Sequence, residues 1–355
     1  REGQTIGKHV ADAVLLQPDM ELVGVADIVT DWRIQSAVGK FPLFASTAQA
    51  REEMLQAGLP VAGSLEDLLQ QVDVIADTTP KHVAADNLPR YRQAGVKVVL
   101  QGGESHETTG HSFVAQANYE SALGRDLTRV VSCNTTSIVR VLGALQNANL
   151  LAKARGVLIR RATDPWESHL GGIMNTMVPE QKIPSHQGPD AQTVLPDLDV
   201  VTIAAKGAHT QTHNHYWTLQ LTRPASREEV LAALRAAPRI GFIRMADGLV
   251  ALNSTIELMQ DLGRPRGDMW EVAVWEDLVT VQGDEVYLTY QVNNEAIVVP
   301  ETIDAIRALT GAAPDAETSM RVTDTSLGMR QDLLTQAMSA SANDRPAPAT
   351  VTRNT

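Results

Sequence analysis

Residues 128–140 read TRVVSCNTTSIVR. TRVVS has β-strand character, and beyond it the apolar positions Ile138, Val141, Leu142 and Leu145 recur at helical spacing. A strand therefore runs into a helix here. Cys133, the single cysteine in 355 residues, sits at the junction. A free cysteine is often a small buried hydrophobe. The junction argues for another role, because unpaired backbone N–H groups and the positive end of a helix stabilise a thiolate. Ser132, Asn134, Thr135 and Thr136 add short hydrogen-bonding side chains around it. Cys133 is read as a nucleophile.

Upstream of this junction, strand and helix patterns alternate. TIGKHVADAVLLQ (5–17) reads as a helix, MELVGVAD (20–27) as a strand, and SLEDLLQQ (64–71) as a helix capped by Ser64. DVIADTTP (73–80) and KVVLQGG (97–103) are strands, while HVAADNLPRYRQAG (82–95) and HSFVAQANYESALG (111–124) are helices. Such alternation predicts a doubly wound α/β fold of Rossmann type, with helices on both faces of a parallel sheet. Its ligand lies beyond the carboxyl ends of the strands, where Asp27, Thr78, Thr79, Gly102, Gly103 and Cys133 all fall. Asp27 follows Gly7 by the spacing of an acid that hydrogen-bonds a ribose 2′-OH. No strand precedes the first helix, so the chain is expected to be truncated at its N-terminus, or a fragment, lacking the central strand.

Downstream the pattern changes. GVLIRRAT (156–163), VVTIAAKG (200–207), HNHYWTLQLT (213–222), EVAVWEDLVTVQ (271–282) and EVYLTYQVNN (285–294) are strand-like, with a hairpin signal at 282–285. Helical REEVLAALRAAP (227–238) and STIELMQDLG (254–263) interrupt them. A mixed, mostly antiparallel α+β domain is predicted over 133–301. PETIDAIRALTG (300–311) and SLGMRQDLLTQAM (326–338) are read as helices returning to the first domain, which then comprises 1–132 and 302–338. The Pro/Ala/Thr-rich stretch 339–355 is expected to be a disordered tail. A net charge of −12 argues against nucleic-acid or membrane-surface partners. The lone cysteine fits a reducing, cytoplasmic setting.

These stretches suggest a family. Over roughly 4–335 the chain resembles archaeal-type (type II) glyceraldehyde-3-phosphate dehydrogenase, through TIGKHVADAV, LQGGE, RVVSCNTT, RRATDP, IPSHQGPD, DLGRPRGD and IVVPE. The pair RVVSCNTT and PSHxGPD is the specific part. The resemblance implies oxidation of an aldehyde phosphate to an acyl phosphate, with inorganic phosphate and a nicotinamide cofactor, by a homotetramer. It makes Cys133 the nucleophile and His213 the catalytic base. It assigns Thr5, Ile6, Gly103 and Arg161 to the cofactor, and Ser132, Asn134 and His186 to the substrate; beside these, Asn294 is expected at the cofactor, and Thr135, Arg160 and Gln187 at the substrate. Three departures stand out: EGQTIG replaces the family's GYGTIG, Gln187 replaces the second histidine of SHHGPD, and NNEA replaces HQES.

The chemistry asks for the same groups. A thiolate attacks the aldehyde, a base near neutral pKa takes the hydroxyl proton as hydride departs, and phosphate releases the acyl group. Arg160 and Arg161 are adjacent, so a strand turns only one of them into the cleft. His209, His213 and His215 are expected on one strand face; a three-histidine zinc site is the rival reading, and His215 is read as a satisfied structural histidine. No metal is called for. Asp27, with no Lys or Arg after it until Arg33, favours NAD, with NADP as the other option. Two alternatives stay open: a related aldehyde or semialdehyde dehydrogenase, or a cofactor-poor, non-catalytic relative.

Overall fold

In the computed structural model, which describes residues 3–101 and 103–334, seven short strands precede Cys133. They are β1 Val25–Asp27, β2 Leu43–Ala45, β3 Val61–Ser64, β4 Val74–Asp77, β5 Lys97–Leu100, β6 Ser112–Phe113 and β7 Leu127–Val130. Every pairing among them is parallel, and they form two sheets in the orders β1-β2-β3 and β4-β5-β7-β6. Among the described residues no strand bridges β1 and β4. Both are only half-buried over Val25–Asp27 and Val74–Ala76, whereas Val98–Leu100 of β5 is buried throughout.

One helix starts where the sequence put its cap. Ser64 caps the helix Leu65–Leu69 in a reciprocal box with Asp67, which satisfies two orphan N–H groups at once. Four expectations need correction. The strand expected over 20–27 begins only at Val25, because its partner β2 starts after Pro42, whose carbonyl accepts from Val25 N at 2.9 Å. The helix expected over 111–124 opens as β6 and then breaks into two short turns. Asn118 causes the break: its amide accepts from Val114 N and donates to Ser112 O, competing with the helical ladder. The helix expected over 326–338 is not formed through 334: Gly328, at φ 66°, ends the helix Ala316–Leu327, and Asp332 bridges to Phe242. Residues 335–338 and the expected tail 339–355 lie outside the described residues. Between Ile28 and Gly63 the sequence suggested no element, yet helices Trp32–Val38 and Ala48–Gln56 form there with β2 and most of β3.

The later strands are β8 Leu151–Arg160, β9 Val178–Pro179, β10 Val200–Lys206, β11 His213–Leu221, β12 Ile240–Ile243, β13 Val272–Trp275, β14 Thr280–Gln282 and β15 Glu285–Val292. They make one mixed sheet in the order β12-β13-β15-β11-β8-β10-β9, with β14 added to β15 through the predicted hairpin. The β8–β10 and β12–β13 pairings are parallel and the others antiparallel. The helix Cys133–Asn147 lies against this sheet, buried from Asn134 to Leu145. The helix Val299–Thr310 starts ahead of residue 302 and returns to the first half, packing on the helix Gly3–Val14 and on β4, β5 and β7.

A fully buried ionic cluster fastens these parts. Arg140 of the cysteine helix binds Glu301 at 2.5 Å, and Arg239 binds both Glu301 at 3.1 Å and Asp304 at 2.5 Å. Burying such charges is costly unless each is paired and hydrogen-bonded. Arg140 meets that condition with further bonds to the carbonyls of Trp270 and Ile297.

Candidate active site

The strand-to-helix junction forms as read. Ser132 is the N-cap, its Oγ accepting from Thr135 N, and half-buried Cys133 is the first helical residue. Its sulfur therefore lies where the helix leaves N–H groups unpaired and where negative charge is favoured.

The partner histidine comes from β11. Period-two alternation buries His213, His215 and Trp217 on one face and turns Tyr216 and Thr218 outward. His213 Nε2 reaches Cys133 Sγ at 3.2 Å. On the other side of the ring, Arg161 N donates to His213 Nδ1 at 3.0 Å. A backbone N–H can only donate, so Nδ1 is an acceptor and the neutral ring carries its proton on Nε2. That proton points at the sulfur, which must accept it. Burial, and then the charge of Arg161, hold His213 well below its ordinary pKa. In this tautomer the ring turns its Nε2–H toward the sulfur, and its pKa lies below the near-neutral value expected of a base.

His209 is not on this strand face. It lies in the turn before β11, after which Thr212 takes φ 62°. Asn294 holds that turn: its Oδ1 accepts from Thr212 N at 2.9 Å, and its Nδ2 donates to Asp164 at 3.2 Å. Both ends of the amide expected to contact cofactor are therefore engaged by protein. Among the described residues, no group of three or more His, Cys, Asp or Glu side chains is arranged to hold a metal.

The expected substrate residues divide. Asn134 is buried beside the sulfur, its Nδ2 3.8 Å from Sγ. Thr135 is fully buried and gives its hydroxyl to Asp190 at 2.8 Å, so it braces the helix start. Arg160 pairs with Glu180, whose other oxygen is 3.8 Å from His186 Nδ1. Arg161 instead pairs with Asp164 at 2.7 Å. Gln187 is fully buried, and neither end of its amide has a partner among the described residues. Sequence reasoning missed Glu180, which carries no motif, and Tyr290, which meets His215 only through the β11–β15 register.

The nucleotide side offers a cradle. Gly7 comes so close to the end of β4 that a Cβ would stand 2.8 Å from Thr78 Oγ1. Gly103 sits at φ +80° beyond β5, and a Cβ there would meet nothing within 4 Å. A close helix–strand approach and open space over a glycine are what a dinucleotide needs. Asp27 ends β1, its Oδ1 accepting from Ile28 N at 2.7 Å and Val29 N at 3.3 Å. Thr5 and Ile6 lie between Gly3 and Gly7 in the helix Gly3–Val14. Glu2 lies outside the described residues.

Comparison with known proteins agrees with this geometry. Residues 132–277 match the C-terminal domain model of glyceraldehyde 3-phosphate dehydrogenase. A glyceraldehyde-3-phosphate dehydrogenase of Pyrobaculum calidifontis is 46% identical over 327 residues, covering 91% of this chain and 94% of that protein. One from Haloarcula marismortui is 42% identical over 331 residues, covering 93% of each. Among solved structures, aspartate semialdehyde dehydrogenase II from Vibrio cholerae superposes with a TM-score of 0.56 at 14% identity, covering 73% of this chain and 93% of that one, a likeness of fold. The identity over nine-tenths of the chain, with the cysteine–histidine pair in place, makes this chain a member of the glyceraldehyde-3-phosphate dehydrogenase family of nicotinamide-dependent oxidoreductases.

Proposed function

We propose that Cys133 and His213 carry out the family's phosphorylating oxidation of glyceraldehyde 3-phosphate, with NAD preferred over NADP. The observation that carries this reading is the Sγ–Nε2 distance of 3.2 Å combined with the Arg161 N–H on the far side of the ring. The amide fixes the tautomer, the tautomer aims the Nε2–H at the sulfur, and that donor, together with the helix N-terminus, favours the thiolate form that attacks.

Attack of that thiolate on the aldehyde carbon forms the C–S bond and moves the carbonyl electron pair onto oxygen. The Nε2–H then stabilises the alkoxide of the hemithioacetal. Because this oxygen stays anionic, its collapse to the thioester needs no separate base. Gly103 and Asp27 would hold the dinucleotide, whose nicotinamide would supply the hydride acceptor. Phosphate attacks the thioester carbon, and the sulfur leaves as the thiolate that His213 again holds.

Arg160 and His186 bind the anionic end of the substrate in this reading, with Glu180 as their counter-anion in its absence. Asp27 accepts from a ribose 2′-OH and repels a 2′-phosphate. The uncovered face of the mixed sheet, where Ile203, Val157 and Tyr216 form an exposed row, supports a homotetramer. The test is a pre-steady-state burst of NADH with glyceraldehyde 3-phosphate, before and after stoichiometric alkylation of Cys133. A burst that substrate protects from alkylation is expected. A burst that survives full alkylation overturns the reading.

A further inference from the structure

We infer that His215 is a positioning residue for the reaction: it orients the Asn134 amide so that its N–H groups face the Cys133 sulfur and the oxyanion that grows beside it. This rests on Cys133 being the nucleophile. His215 is fully buried two residues along β11 from His213, on the same face. Its Nε2 is 2.8 Å from Asn134 Oδ1, and its Nδ1 is 3.0 Å from the hydroxyl of buried Tyr290. The rings of His215 and Tyr290 are 4.9 Å apart between centroids.

The direction of this chain follows from which groups have protons to give. The Tyr290 hydroxyl has His215 Nδ1 at 3.0 Å and Ser137 Oγ, whose own proton goes to Asn134 O at 2.8 Å, only at 3.5 Å, so the Tyr290 O–H donates to the nearer His215 Nδ1. Burial pushes the Tyr290 hydroxyl up and His215 down to about 3, keeping one protonated and the other neutral. A neutral ring accepting at Nδ1 has its proton on Nε2. Only the oxygen end of an amide can accept that proton. Asn134 must therefore turn Oδ1 to His215 and Nδ2 to the sulfur, where it stands at 3.8 Å. An asparagine without such a partner could flip end for end and present its oxygen to the thiolate, which is repulsive. His215 is satisfied, as the sequence suggested, but the group that satisfies it lies against the reacting sulfur.

The test uses the full chain and four variants: His215→Leu, His215→Gln, Asn134→Ala and the double His215→Leu/Asn134→Ala. Two readouts are taken, the rate of Cys133 alkylation by iodoacetamide across pH without cofactor or substrate, and kcat with KM for NAD. Removing one oxyanion donor costs about 10²–10³ in kcat elsewhere. His215→Leu is expected to lower kcat by at least tenfold toward that range, leave KM for NAD unchanged, and move the alkylation profile to higher pH. Asn134→Ala should match it, and the double variant should be no worse than Asn134→Ala, because residues acting through one another are not additive. His215→Gln, which keeps a donor, should recover part of the loss. An unshifted alkylation profile with near-normal kcat, or a double variant that loses the product of the two single effects, overturns the inference. If His215→Leu fails to fold, Tyr290→Phe removes only the hydroxyl that fixes the tautomer; a smaller loss in the same two readouts supports the chain, and none overturns it. Failure of the nucleophile itself would look different, since alkylated wild type would keep its activity.

Discussion

The floor of the site around Cys133 and the nucleotide cleft above it are built on different terms. On the floor, both ring nitrogens of His213 and of His215 have protein partners, so every proton direction is set before anything binds. In the cleft, Gly103 faces open space and Asp27 is folded back onto the amides of its own turn. The difference teaches where each kind of precision comes from. Transition-state stabilisation requires dipoles fixed in advance. Cofactor binding tolerates a surface that its ligand completes, and there affinity follows from a few charges rather than a fixed network.

The sharpest way to break this contrast is at the sulfur. Cys133→Ala is expected to abolish oxidation outright, measured as loss of the NADH burst, because no other described side chain can form the thioester. Detectable turnover at wild-type burst amplitude would remove the chemical floor altogether. His213→Phe comes next. It keeps a ring in the same space but deletes the Nε2–H, so kcat should fall by about 10²–10³ with little change in KM for NAD. The base reading and the donor reading separate on pH. If His213 is a neutral donor held well below its ordinary pKa by burial and Arg161, kcat should show no ionisation near pH 6.5 that disappears in His213→Phe. Finding such an ionisation would restore the base.

The cleft should respond more weakly. Asp27→Ala is expected to narrow the preference for NAD over NADP by about tenfold or less, since one partly exposed charge contributes on the order of 1 kcal/mol. The ratio of kcat/KM for the two cofactors measures this, and an unchanged ratio would free Asp27 from the ribose.

Much of the floor was legible in the sequence and less of the cleft. The cysteine junction needed only a strand pattern followed by a helical one, both local. His213 and His215 could be placed on one face because strand alternation is local too. What could not be read was the other half of each contact. Arg161 reaches His213 through its backbone amide, which leaves no residue-type signature, and Tyr290 reaches His215 through a strand register set by tertiary pairing. In the nucleotide half, β1 and β2 are three residues each, too short for periodicity, and most of the stretch from Ile28 to Gly63 gave no signal. The misread helix at 111–124 had helical composition, and only the Asn118 side chain, competing locally for backbone partners, broke it.

The smallest effect expected lies at the rim where β8 and β9 end, and it tests which of the two regions that rim resembles. Arg160 and Glu180 are each about one-fifth exposed and form an ion pair, with His186 Nδ1 3.8 Å from the second carboxylate oxygen. If the rim is built like the floor, this pair is a fixed support for Arg160, and losing Glu180 should raise KM for the aldehyde phosphate. If it is built like the cleft, Glu180 is a stand-in anion that the substrate phosphate displaces, and losing it should lower KM. Partly exposed pairs are worth about 0–1 kcal/mol, so the change is at most about fivefold either way. Glu180→Gln keeps the size and removes the charge. The displacement reading predicts a lower KM for glyceraldehyde 3-phosphate at unchanged kcat, with the gain shrinking at high salt as screening weakens the competition it removed. A raised KM with the same salt dependence would assign the rim to the floor, and Arg160 would then act by being held still.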